Sequence, residues 1–145
     1  MRCIERSVAL ALVLLGACSS TPHVDLGPPV PLPAPAAMRT THDFKLQMAR
    51  RLVAANPEVT YVGKVPDMLL AIPVLEIELN RDGSVRRIEV LRMPRQAPET
   101  TQMAIEAVKR AAPFGDVSRL PKPWKFAETF LFNDEKRFKP RTLDE

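Results

Sequence analysis

The sequence predicts an α+β fold: a small antiparallel three-stranded sheet, made of a β-hairpin, a helix and a strand, with helices packed on one face. Three observations carry this. Residues 73–79 alternate, with Leu75, Ile77 and Leu79 on one side and Val74, Glu76 and Glu78 on the other, the period of a half-buried strand. Asn80-Arg81-Asp82-Gly83 then leads into a second β-rich run, so the two runs form a hairpin. Two further stretches, 41–55 and 99–111, place apolar residues at helical spacing, and each stops at a proline.

In chain order, residues 1–17 read as a leader. Arg2 and Arg6 precede an apolar run at 8–15, shorter than the roughly 20 residues a spanning helix needs. Leu15-Gly16-Ala17-Cys18 resembles the lipobox of bacterial lipoproteins. That resemblance implies cleavage before Cys18 and acylation of its thiol and new amino group; an ordinary leader with an incidental cysteine is the alternative. Cys3 leaves with the leader, so Cys18 stands alone in the mature chain and no internal disulfide can form. Ser19 follows Cys18 where Asp would direct retention, which in the usual sorting pattern implies the outer membrane, facing the periplasm. Residues 18–40 are the acylated cysteine and its tether. Pro22, Pro28, Pro29, Pro31, Pro33 and Pro35 favour an extended polyproline II chain. At about 3.1 Å per residue such a tether reaches about 60 Å at most.

The domain is expected over 41–142. Thr40 or Thr41 starts the first helix, and Asp43 suits its first turn. Phe44, Met48, Leu52 and Ala55 make one apolar stripe, and Asn56-Pro57 ends the helix. His42 has no partner in the local sequence. Residues 59–62 are either a short strand or an extended connection. Pro66 opens a helical turn in which Met68, Leu69 and Leu70 plug the core; an exposed apolar partner site is the alternative.

The second strand, 85–91, slips its alternation between Val85 and Ile88, so a bulge is expected near Arg86-Arg87. The second helix runs from Pro98 or Glu99 to Ala111. Its expected buried face is Ala104, Ile105, Val108, Ala111 and Ala112, with Glu106 and Arg110 as an exposed pair four apart. The last strand, 125–132, points Phe126, Glu128, Phe130 and Phe132 one way and Ala127, Thr129 and Leu131 the other. Both sets contain apolar residues, so periodicity leaves its inward face open. Residues 133–145 read as a charged tail around Phe138.

The net charge of +4 falls by one when Arg2, Glu5 and Arg6 leave with the leader. An exported chain does not normally meet cytoplasmic nucleic acid, so no nucleic-acid partner is expected. The surplus suits an acidic partner surface, anionic lipid or wall polymer, or serves solubility alone. Arg86, Arg87, Arg92 and Arg95 form the basic patch, read either as such a site or as a solvated, charge-guarded edge. No Ser/His/Asp or metal-ligand cluster is evident, so no catalytic residue, metal or cofactor is assigned and the chain is read as a non-enzyme.

Asp82-Gly83-Ser84-Val85, Ile88 and Val90, the helix through Ala104 and Val108, Ala112-Pro113-Phe114 and the Phe130-Leu131-Phe132 strand resemble, in that order, the C-terminal domain shared by TonB and TolA. The leading helix and Arg137-Phe138-Lys139-Pro140 look more like TolA. An acylation site stands where those proteins keep a spanning helix, so the resemblance implies docking of an envelope protein or peptide, not motor-driven transduction. In that family a peptide adds to the strand after the helix. The corresponding residues are Phe126, Glu128, Thr129, Phe130, Leu131 and Phe132, unless the tail or residues 59–62 cover that edge. Open edges also permit a strand-exchanged homodimer. The alternatives are an energy-transduction accessory with separate motor subunits, and a cell-wall-acting enzyme.

Overall fold

A computed structural model describes residues 32–144; the leader, Cys18 and the first part of the tether lie outside the described residues. Helix α1 spans Thr41–Ala55, and Thr40 caps it by accepting the Asp43 N–H on Oγ1 at 3.1 Å. Phe44, Met48, Ala49 and Leu52 form its buried stripe. Four strands and a second helix follow: β1 (Val74–Leu79), β2 (Val85–Arg92), α2 (Glu99–Ala111), β3 (Lys125–Phe132) and β4 (Phe138–Pro140). The strands make one antiparallel sheet in the order β2-β1-β3-β4. The sheet therefore has four strands where three were expected, the addition being β4 in the charged tail.

The helices cover one face. Leu75, Ile77 and Leu79 of β1 and Phe126, Phe130 and Phe132 of β3 are buried in the core they share with α1 and α2. The ring of Phe126 lies 4.7 Å from that of Phe44, which settles the inward face of β3. On the opposite face Glu76 and Glu78 are half-buried among cations. Lys125 pairs with Glu76 at 3.2 Å, and Arg86 with Glu78 at 3.6 Å. The hairpin register slips between Glu78 and Leu79, whose partners are Arg87 and Val85, so the expected bulge falls at Arg86. A second slip leaves Leu91 unmatched between Val90 and Arg92.

Several local expectations are corrected. Residues 66–70 form bends and no helical turn; Met68 is 88% exposed, while Leu69 and Leu70 are half-buried, so Met68 does not plug the core. On α2, Ala107 is buried where Ile105 and Ala112 are only half-buried. Arg110 does not pair with Glu106. Its Nη1 donates to Asn56 Oδ1 at 2.7 Å, and Lys109 takes Glu106 at 3.6 Å. Pro33 and Ala36, in the last part of the expected tether, bond to side chains of α1. No helix among the described residues is long and apolar enough to cross a membrane.

Candidate functional site

The strand expected to receive a partner is an interior one. Phe130 and Phe132 donate their N–H groups to the carbonyls of Pro73 and Ala71, each at 3.0 Å, on the side of β1. On the other side Leu131 faces Lys139 of β4. Alternate residues of a strand point their backbone groups to opposite neighbours, so Phe130, Leu131 and Phe132 have both sides occupied. The tail thus lies where a visiting strand would sit. Its own far side is covered as well: Phe138 accepts the Tyr61 N–H at 3.2 Å and donates to Val59 at 2.9 Å. Phe126, Phe130 and Phe132 are buried against the helices, and Leu131 on the other face is 6% exposed. The assignment as an open edge is therefore corrected at Phe130, Leu131 and Phe132, while Phe126, Glu128 and Thr129 pair with β1 on one side and lie beyond the reach of β4. What closes it is the pairing of residues 59–61 and 138–140, the alternative the sequence left open, in which the tail or residues 59–62 cover that edge.

Glu128 belongs to the core of that region. It is 2% exposed on the helix-facing side of β3. Its Oε1 accepts the N–H of Thr129 at 3.1 Å and of Thr142 at 3.3 Å, while Oε2 has no partner. Burial pushes its carboxyl above the ordinary range, opposed more weakly by the N–H bonds and the Lys45 charge. Through Thr142 the carboxylate ties β3 to the 3₁₀ turn Arg141–Leu143 that ends the described chain.

The free edge of the sheet is β2. It pairs only with β1, and its residues are half-buried or exposed throughout. All four arginines of the basic patch lie on it or just beyond it, but they fall into two pairs. Arg86 and Arg87 sit beside Glu78, and Arg87 also bonds Glu89 at 2.7 Å. Arg92 and Arg95 form no ion pair among the described residues, although both are exposed. They line an open groove of about 440 Å³ with Leu69, Ile72, Met93 and Pro94. Leu91 and Met93 are 51% and 61% exposed beside it.

The β2 end of the sheet thus joins unpaired main-chain groups, two uncompensated cations and apolar side chains in one surface. That combination suits an extended, acidic and partly apolar polypeptide. The bulges at Arg86 and Leu91 leave Arg87–Val90 as its regular stretch. The arginine run reads in the sequence as a site or as a charge-guarded edge, and the position of β2 at the end of the sheet fits the edge. The available signal was the weak alternation after Val85, which leaves β2 with few inward-facing apolar residues. Among the described residues no cluster of His, Cys, Asp and Glu could hold a metal ion. No family model, curated protein or solved structure matches this chain.

Proposed function

We propose that this chain is an envelope lipoprotein, anchored through Cys18 at the outer membrane and facing the periplasm, whose domain binds another envelope protein by strand addition at β2. The observation that carries this reading is the position of β2 at the open end of the sheet, with Arg92 and Arg95 unpaired at its exit. A visiting strand would pair along Arg87–Val90 and set acidic residues against the two arginines. The order of helix, hairpin, helix and strand supports a domain of the TonB and TolA C-terminal type, modified so that the tail occupies the side of β3 where the resemblance places a peptide. The lipobox at 15–18 supports the anchor.

Photocrosslinking in intact cells tests the reading. A benzophenone amino acid at Leu91 is expected to give a discrete adduct, and the same residue at exposed Ala127 of β3 none. Arg92→Glu with Arg95→Glu should weaken the Leu91 adduct at least several-fold. An adduct from Ala127 and none from Leu91 contradicts the assignment. Cys18→Ser should separately release the protein from the membrane fraction.

A further inference from the structure

Residues 32–38 are nominally the end of a proline-rich tether, yet they lie on the domain with a period of three. Leu32, Pro35 and Met38 are half-buried; Pro33, Ala34, Ala36 and Ala37 are exposed. Three residues per turn is the repeat of polyproline II, a conformation with no internal hydrogen bonds. Its backbone groups are therefore free for outside partners, and here side chains of α1 supply them.

Gln47 and Arg51, four apart and so on one face of α1, make the contacts. The Gln47 side chain accepts the Ala36 N–H at 3.2 Å and donates to the Ala36 carbonyl at 2.8 Å, like one rung of a β-ladder. It also donates to the Phe114 carbonyl at 3.2 Å, which fixes its orientation. Arg51 donates from Nη1 to the Pro33 carbonyl at 2.7 Å and from Nε to the Ala111 carbonyl at 3.3 Å. The two carbonyls held, Pro33 and Ala36, are themselves one polyproline turn apart. Gly115 completes the groove. A Cβ there would stand 3.1 Å from the Ala36 carbonyl oxygen, 3.2 Å from Gln47 Nε2 and 3.3 Å from Pro35 Cβ, and its φ of +109° already favours glycine.

From this geometry we infer that the surface formed by Gln47, Arg51 and Gly115 is a polyproline-binding groove whose occupant is the chain's own residues 32–38. It reads a left-handed extended backbone by two polar side chains and seats every third residue, Leu32, Pro35 and Met38, against the domain. The groove acts as a latch. It holds the described chain from Leu32 onward against the helix layer.

Amide exchange followed by NMR on the full chain tests this. The Ala36 N–H should exchange about tenfold more slowly than its intrinsic rate, the protection expected of one side-chain hydrogen bond. Gln47→Ala should bring it to the intrinsic rate while amides of β1 and β3 keep their protection, which shows that the variant is folded. Close proton contacts between Pro35 and Gly115 should be seen in the wild type. Unprotected Ala36, protection that survives Gln47→Ala, or no contact between Pro35 and Gly115 would each overturn the inference.

Discussion

Gly83 and Gly115 meet backbone to backbone: a Cβ built on Gly83 would overlap the main chain of Gly115. The contact stitches the hairpin turn to the loop after α2. Phe114 donates its N–H to Gly83 at 2.9 Å, and Val117 donates to Arg81 at 3.0 Å. Gly83 also has a φ of +84°, so both its conformation and its surroundings exclude a side chain. Gly83→Ala should cost about 2–4 kcal/mol in urea unfolding, since neither backbone can yield without breaking these bonds. Gly63→Ala is the control. Its φ is +92° but nothing lies within 4 Å, so it should cost about 1–2 kcal/mol, the conformational part alone.

Asn56 joins the two helices. It is 2% exposed, and its Nδ2 donates to the carbonyls of Leu52 at 2.8 Å and Ala107 at 3.0 Å, while Arg110 donates to its Oδ1. Asn56→Ala removes this partner from two carbonyls and a guanidinium group. A loss of about 1–3 kcal/mol is expected, read as a lower urea midpoint at unchanged slope.

Glu128 makes stability depend on pH. Its folded-state carboxyl is raised by burial, so the unfolded chain releases this proton first as pH climbs. Below the ordinary glutamate range both states hold the proton and the group is neutral in its effect. Stability should fall as pH rises from that range through the raised folded value, then level off. Glu128→Gln removes the titration. Its stability relative to wild type should therefore increase across that window, in unfolding titrations taken from acid to neutral pH. A constant difference would show that Glu128 does not carry the effect.

Phe138 holds the tail in place. It is fully buried, with its ring 5.1 Å from Phe130 and 5.5 Å from Phe132. Phe138→Ala should cost about 3–5 kcal/mol by denaturant unfolding. Arg137→Ala, at an exposed position next to it, should stay within about 0.5 kcal/mol.

Local signals explain where the sequence was legible. The Thr40 cap, the stripe from Phe44 to Leu52 and the slip after Val85 each declare themselves within a few residues, and α1, the hairpin and the Arg86 bulge follow from them. The position of β3 in the sheet does not. It depends on Phe138 pairing with both Phe132 and Thr60, and β4 is only three residues long and ends in a proline. No periodicity of two can be read from so short a run beside Asp134, Glu135, Lys136 and Arg137. Asn56 was read as a helix stop, which it is. Its partners Ala107 and Arg110 lie more than fifty residues away in sequence, beyond any local pattern. The candidate site suffered most, since an edge is defined by what fails to pair with it.

The sheet opens at β2, and β4 closes β3 at residues 130–132. Residue-resolved amide exchange on the free protein tests this most directly. Phe130, Leu131 and Phe132 should all be strongly protected, because neighbours bond them from both sides, whereas residues of β2 whose N–H groups point away from β1 should exchange rapidly. Rapid exchange at Leu131, with uniform protection along β2, would instead place the open edge at the third strand.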